Sequence, residues 1–299
     1  MRLLTFSETG ETPPEIGVLG EDGTSVVALN RISPDVPISM TDFIRSGADG
    51  LLAARKAMKN AFAGAVFPIG DIHLLAPIPV PPRNIFCVGK NYRDHANEVK
   101  GTGIDPTGLN PIPEHPIIFT KSLTAITGPG AFIPATSDPM GSTDYEGELA
   151  VVIGRKGKGI SRENAFAHVY GYTIVNDVTS RRMQKRHHQW FMGKNLDGFC
   201  PMGPVLVTAE AVADVTALTL ETRVNDEVRQ QGAISDLIFD IPTLIQTLSA
   251  TMTLLPGDII ATGTPAGVGM GFDPPRFLQA GDVVSITISG IGTLENPVS

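Results

Sequence analysis

The chain reads as a strand-rich mixed α/β fold, and three observations predict it. Glycine and proline are frequent, 32 and 24 of 299 residues, which calls for many turns. Short apolar runs of strand length recur from end to end, whereas helical periodicity is confined to a few segments. Strands and helices do not alternate one for one, so a curled mixed β architecture fits better than a doubly wound βαβ sheet.

Taken in order, residues 1–70 read as a small α+β unit. Arg2–Phe6, Glu15–Leu19 and Ser25–Leu29 are short strands separated by polar, Gly-rich turns. Ser39–Ile44 and the Ala-, Lys- and Met-rich Leu51–Phe62 are helices. Residues 71–83 form a linker: Ala76–Pro82 holds four prolines in seven residues, a stiff extended connector and a natural boundary. Residues 84–299 form the larger unit. Its strands are Asn84–Val88, Pro116–Thr120, Glu148–Ile153, Tyr170–Asp177, Pro204–Val207, Leu218–Asn225, Asp258–Thr262 and Val283–Ser289. Helices are expected at Asn91–Val99, at Ser161–His168 with Ser161 as N-cap, and at Ile241–Met252 with Asp240 as N-cap and Pro242 in the first turn.

The totals exclude several classes of function. Net charge is -8 and basic residues never run beyond a pair, such as Arg181-Arg182 or Lys185-Arg186, which argues against nucleic acid as the main partner. No apolar stretch approaches the roughly 20 residues of a spanning helix, and no signal-peptide core follows Met1–Phe6, so neither a membrane nor export is expected. Two cysteines, Cys87 and Cys200, are too few for a disulfide scaffold; both lie in apolar company, as expected of buried thiols in a reducing cytoplasm.

The most informative segment is Asp144-Tyr-Glu-Gly-Glu-Leu-Ala150. In a strand, residues i and i+2 share a face, so Glu146 and Glu148 point side by side at the head of an apolar run. Like charges that close need a proton or a cation between them. Asp177 closes a second apolar strand, and a third acid there completes an oxygen-only set suited to Mg²⁺ or Mn²⁺. The competing reading places one glutamate in solvent and leaves Asp177 as a turn cap.

Three further segments carry candidate chemistry. In Gly89–Glu98, His95 and Glu98 are i, i+3 neighbours on a helix, the arrangement in which a carboxylate orients a histidine base; an exposed pair on a surface helix is the alternative. Lys90, Tyr92 and Arg93 make this neighbourhood cationic and amphipathic. The long irregular stretch Lys100–Pro113 beside it has the character of a lid or of plain surface loop. In Gly193–Pro204, Lys194 either projects into a cleft, where it holds an oxyanion, or is an ordinary surface lysine. In Ala261–Gly269 the glycines, Gly263 among them, permit close approach of backbone N–H groups to an anion, and Thr264 adds a hydroxyl; nucleotide-binding spacing is absent. His187 and His188 lack zinc-like partners and read as polar loop residues at a pocket mouth with Arg181, Arg182 and Gln184.

Together, Val88–His95, Asp144–Val152, Asn176–Arg181, Gly193-Lys194 with Pro201–Pro204, and Thr262–Pro265 resemble the fumarylacetoacetate hydrolase superfamily in order and spacing. The resemblance spans residue 80 or so to the C-terminus, and the small N-terminal unit is similar to one attached to many bacterial members. It implies a β-roll, a homodimer, and a divalent ion (Mg²⁺ or Mn²⁺, sometimes Ca²⁺) on Glu146, Glu148 and Asp177. It further implies His95 and Glu98 as a water-activating pair on a lid, Lys194 as a contact to substrate oxygens, and Thr264 as a carboxylate-binding residue. Arg93, Tyr92, Arg181, Gln184 and Gly263 complete the expected substrate contacts. Gly147 is a departure, since many relatives carry a larger residue there. The expected activity is hydrolysis of the C–C bond of a 2,4-dioxo acid of the acylpyruvate type. The alternative is isomerisation or decarboxylation of a hydroxymuconate- or oxaloacetate-type 2-oxo acid, and a non-catalytic binding protein is a third reading.

Overall fold

A computed structural model describes residues 1–100 and 112–299; most of the stretch read as a lid lies outside them. The apolar runs become strands, and the largest sheet is built from most of them. Residues 1–70 contribute β1 (Arg2–Ser7), β2 (Glu15–Leu19), β3 (Ser25–Ala28) and β4 (Val66–Pro68), and the segment expected as a linker contributes β5 (His73–Leu75), which pairs with β1. The larger unit contributes β6 (Ile85–Gly89), β7 (Ile117–Lys121), β8 (Gly147–Ile153), β9 (Val169–Asn176) and β10 (Cys200–Thr208). A second sheet uses β11 (Thr219–Val224) and β12 (Glu227–Ala233). The short β13 (Ile259–Ala261) returns to the first sheet, while β14 (Val283–Ile288) and β15 (Gly292–Pro297) complete the second.

The first sheet runs β4-β3-β2-β1-β10-β9-β8-β13-β6-β7, with β5 also on β1. Along this order the pairs are antiparallel except β13–β6, which is parallel; off it, the two-residue strand Ile126–Thr127 also pairs in parallel with the start of β10. The β1–β10 pairing makes the sheet of the N-terminal unit continuous with that of the larger unit, and the Met1 ammonium donates to Thr208 Oγ1 there. The second sheet, β12-β11-β14-β15, is antiparallel throughout. Its strands alternate in burial: Leu220, Thr222 and Val224 point inward and Thr219 and Arg223 outward. By contrast all seven residues of β8 are buried, as expected of a strand covered on both faces.

Six helices matter here: α1 (Met40–Arg45), α2 (Gly47–Lys59), α3 (Arg93–Glu98), α4 (Arg181–Arg186), α5 (Phe191–Lys194) and α6 (Ile241–Thr251). Asp240 caps α6 as expected, accepting from Thr243 N (3.0 Å). Ser161 does not cap. Its hydroxyl accepts instead from the Asn164 side chain (3.1 Å), and Arg162–His168 forms 3₁₀ turns rather than an α-helix. Helix α2 begins four residues earlier than the sequence suggests and ends before Asn60. Strands β4, β5, β12 and β15 were not expected: two are three residues long, and the other two are polar, so none carries an apolar alternation.

Both cysteines are buried, and burial pushes their thiols up, that of Cys200 to about 12. No helix among the described residues is long and apolar enough to cross a membrane.

Candidate active site

Strand register brings the three acids together. Gly147 pairs with Asn176 across β8 and β9, so the head of one strand meets the tail of the other. Asp177 N donates to Glu146 O (2.9 Å) one residue beyond that pair, and Glu146 N donates to Asn176 Oδ1 (3.0 Å). On the other side of β8, Ala150 pairs with Ala261; the same register continues through Thr262 N, which donates to Leu149 O. Glu148 therefore sits beside Gly263, whose N–H donates to Glu148 Oε2 (2.7 Å). Ligand atoms of Glu146, Glu148 and Asp177 all lie within 4.8 Å of one another, and all three residues are buried.

Gly147 between the glutamates has a packing cause. A Cβ there would collide with Thr222 Oγ1 of the second sheet and lie 3.1 Å from Ile286 Cγ2, so the two sheets approach too closely for a side chain.

Three cations surround the acids. Lys194 is buried, not on the surface, and its Nζ donates to Glu146 Oε2 and Asp177 Oδ2, both at 2.7 Å. Arg181 Nε donates to Asp144 Oδ2 (2.8 Å), and its Nη1 lies 2.6 Å from Glu146 Oε1. Lys121, which no sequence pattern singled out, is fully buried; its Nζ donates to Val178 O (2.8 Å) and stands 2.9 Å from Asp177 Oδ1. Helices α4 and α5 deliver Arg181 and Lys194. They touch because residue 193 is glycine: a Cβ would come within 2.6 Å of Gln184 N.

The two glutamates are driven in opposite directions. Burial opposes ionisation of Glu146, but Lys194 and Arg181 outweigh it and hold that carboxyl well below its ordinary value. Burial, with Asp177 and Glu146 close by, pushes Glu148 well up, and Lys194 and the Gly263 N–H only partly offset this. Among the described residues, the ion pairs of Lys194, Arg181 and Lys121 fall on Glu146, Asp177 and Asp144, and Glu148 takes a hydrogen bond from the Gly263 N–H instead. A hard divalent cation fits this donor set, which is oxygen-only, buried and convergent.

The cleft above the acids has a volume of about 430 Å³, counted out to solvent, and is lined by Lys90, His95, Phe119, Glu146, Glu148, Arg181, Gln184, Trp190, Lys194, Thr264 and Met270, among others. His95 is buried at the cleft wall, and its Nδ1 lies 3.2 Å from Glu98 Oε2. Glu98 Oε1 accepts from Gly267 N (2.9 Å). Asn91 ties the turn before α3 to the segment after β13: its amide donates to Thr262 O (2.8 Å) and Phe239 O, and its Oδ1 accepts from Phe239 N. Trp190 packs edge-on against Phe119 with centroids 5.2 Å apart, and Lys194 Nζ lies 5.0 Å from the Phe119 ring centroid.

Thr264 is buried in the cleft lining, and its hydroxyl accepts from Gln230 Nε2 (2.7 Å). The hydroxyl proton is therefore available to a ligand. Gln230, a residue that sequence reasoning missed, also accepts from Gly147 N (3.0 Å) and donates to Pro265 O (2.8 Å), linking the acid strand to the Thr264 turn. No local sequence pattern marks it: the strand is polar, and Gln230 is the one buried residue in it.

Other expected contacts lie elsewhere. Tyr92 and Arg93 line a separate hollow with Gln231, Asp236 and Pro265, and Arg93 is exposed. Gly263 does offer its N–H, but to the Glu148 carboxyl. His187 and His188 are exposed at the end of α4, and Arg182 turns away to donate to Met140 O (2.7 Å).

The family model described as fumarylacetoacetate (FAA) hydrolase C-terminal matches residues 84–299. The chain is 51% identical over 269 residues to the oxaloacetate tautomerase YisK of Bacillus subtilis, covering 88% of this chain and 87% of that protein. It is 40% identical over 302 residues to the human mitochondrial oxaloacetate tautomerase FAHD2A, covering 100% and 91%. Among solved structures, maleylpyruvate hydrolase of Sphingobium sp. SYK-6, in complex with manganese (II) ion and pyruvate, superposes with a TM-score of 0.78 at 31% identity, covering 100% and 98%. With the acids, the His–Glu pair and the buried lysine in one cleft, the chain belongs to the fumarylacetoacetate hydrolase family.

Proposed function

We propose that this protein interconverts the keto and enol forms of a short 2-oxo dicarboxylic acid of the oxaloacetate type, assisted by Mg²⁺ or Mn²⁺ held by Glu146, Glu148 and Asp177. The observation that carries the reading is 51% identity to an oxaloacetate tautomerase across most of both chains. The cleft supplies what such a reaction needs. This favours the isomerase-type alternative of the sequence reading over its main expectation of C–C hydrolysis.

Tautomerisation moves one proton between C3 and the oxygen on C2, with no change of oxidation state. A divalent ion at the three carboxylates supplies Lewis acidity that lowers the cost of enol character next to a 2-oxo group. His95 is the proton carrier. The Glu98 carboxyl oxygen beside Nδ1 favours the tautomer with the proton on that nitrogen, leaving Nε2 to take the proton from C3 and deliver it to the oxygen on C2, and to run the same transfer in reverse for ketonisation. Lys194 sets a fixed ammonium at the floor of the cleft, where charge growing on an enol oxygen is stabilised. Thr264, its acceptor side taken by Gln230, has its own proton free for a substrate carboxylate.

The test is to follow loss of the enol absorbance of oxaloacetate with Mn²⁺ or Mg²⁺ and with EDTA. Acylpyruvate cleavage and CO₂ release are measured in parallel. Enzyme-dependent acceleration that EDTA removes is expected. No acceleration above the free metal ion, together with rapid cleavage of an acylpyruvate, would replace this reading with the hydrolase one.

A further inference from the structure

The Gly267-Val-Gly-Met-Gly271 loop follows the Thr264 turn and is not exhausted by the roles above. It is gripped from one side by the two residues that precede the first acid of the triad. Asp144 Oδ1 accepts from Gly269 N (2.7 Å), Asp144 Oδ2 accepts from Met270 N (3.0 Å), and Tyr145 Oη donates to Gly267 O (2.8 Å). Tyr145 is fully buried, so its ring is fixed. On the other side the loop grips α3. Gly267 N donates to Glu98 Oε1, and Val268 and Met270 pack with Val99 in a small apolar cluster. Two glycines make the fit. Gly267 sits at φ +102, and a side chain there would overlap Arg229 O. At Gly271 a Cβ would overlap the Glu98 carboxylate itself, lying 2.5 Å from its Cγ.

We propose that this loop is a positioning device for the acid–base pair: clamped by Asp144 and Tyr145, it seats the Glu98 carboxylate and thereby fixes the orientation of His95. One Glu98 oxygen is held by the loop and the other faces His95 Nδ1, so the carboxylate cannot rotate without breaking one contact. The device ties the helix that carries the base to the strand that carries the acids. Tyr145 and the loop glycines touch no reacting atom in this scheme; they act through Glu98. The proposal rests on the His95–Glu98 pair being the proton carrier.

The test is a pair of mutant cycles with Glu98→Ala. Glu98→Ala alone must lower turnover of whichever substrate the parent enzyme accepts; if it does not, the reading of the pair fails before the loop is tested. Given that loss, Gly271→Ala should lower kcat about ten- to a hundredfold, the range for groups that orient a reacting residue from behind, with KM and Mn²⁺ affinity unchanged. In the Glu98→Ala background the same change should cost nothing further, because the vacated carboxylate leaves room for the new methyl group. Tyr145→Phe, which keeps the ring and removes the hydroxyl, should lose about tenfold alone and nothing in that background. Independently of activity, ¹⁵N spectra of the metal-free parent should show His95 in the Nδ1–H tautomer, and Gly271→Ala should shift it toward a mixture. Equal losses in both backgrounds would mean general damage to the loop and would overturn the proposal, as would an unaltered kcat in Gly271→Ala.

Discussion

The three carboxylates and the His95–Glu98 pair face one cleft, yet they are held there by different means. Glu146, Glu148 and Asp177 are fixed by strand register: each is within one residue of a paired position in β8 or β9, and their neighbours are buried. His95 and Glu98 ride on six residues of helix whose place is set by side chains and loop amides from distant parts of the chain. The proposed ion site therefore inherits the rigidity of the sheet, and the proposed proton carrier depends on a few separate hydrogen bonds. On the proposed reading, binding and chemistry are separable. Changes among the acids should remove both, and changes on α3 should remove chemistry alone.

The largest effect is expected at Glu148. Glu148→Gln should abolish Mn²⁺ binding in calorimetry and with it metal-dependent turnover. In the metal-free protein the same change should raise the Tm at neutral pH, because it removes a buried carboxyl crowded by Asp177 and Glu146. The sign follows from linkage. The folded-state value of Glu148 lies well above the ordinary 4.5, so the folded protein holds this proton more tightly than the unfolded chain. Stability of the metal-free parent from this group falls as pH rises from about 4.5 toward that raised value, and Glu148→Gln should flatten the slope. A variant that is less stable than the parent without metal, at pH 7, would show that Glu148 is already neutralised by a partner.

Next in size is His95→Ala. Loss of the proton carrier should lower kcat by about 10²–10⁴-fold, the usual range for general acid–base groups, while Mn²⁺ binding is kept. The contrast with Glu148→Gln is the direct test of separability. If His95→Ala also loses the metal, the imidazole belongs with the acids and the division above disappears.

The same division explains what could be read from the sequence. The acids were legible because they lie at the ends of apolar strands, where a period of two and a hydrophobic run identify both the element and the face. Asp177 meets Glu146 because consecutive strands pair, which sequence order suggests. The His95–Glu98 contact was legible as an i, i+3 pair. What was not legible depends on tertiary charge and packing. Lys194 could be read from its local sequence either as a cleft residue or as a surface lysine among glycines, and the resemblance alone chose the cleft; the surrounding acids are what make it a buried ammonium. Lys121 ends an ordinary apolar strand, and Gln230 stands next to an exposed Gln231 in a strand with no hydrophobic pattern. Strands β12 and β15 lie in a sheet with one face to solvent, so their polar sequences resemble loops. Arg93, expected as a substrate contact, lines a different hollow from His95, because nearby positions of a helix point in different directions.

Arg93 supplies the smallest expected effect and a sharp check on how far the rigidity of α3 extends. Its side chain is exposed and lines a hollow shared with Tyr92, Gln231 and Asp236, whereas the His95 side chain lines the cleft over the acids. Asn91 holds the start of α3 and Gly267 holds its end, so the helix has little freedom to turn Arg93 toward a bound acid. Arg93→Ala should therefore leave kcat/KM within about twofold of the parent, the small effect usual for surface changes away from a site. A drop of tenfold or more, carried by KM, would place the guanidinium on the substrate carboxylate. Such a result would require α3 to rotate on ligand binding. The hydrogen bond from Gly267 to Glu98 would then describe only one of two arrangements of the proton carrier, and the contrast between a fixed ion site and a movable base would be larger than the free protein reveals.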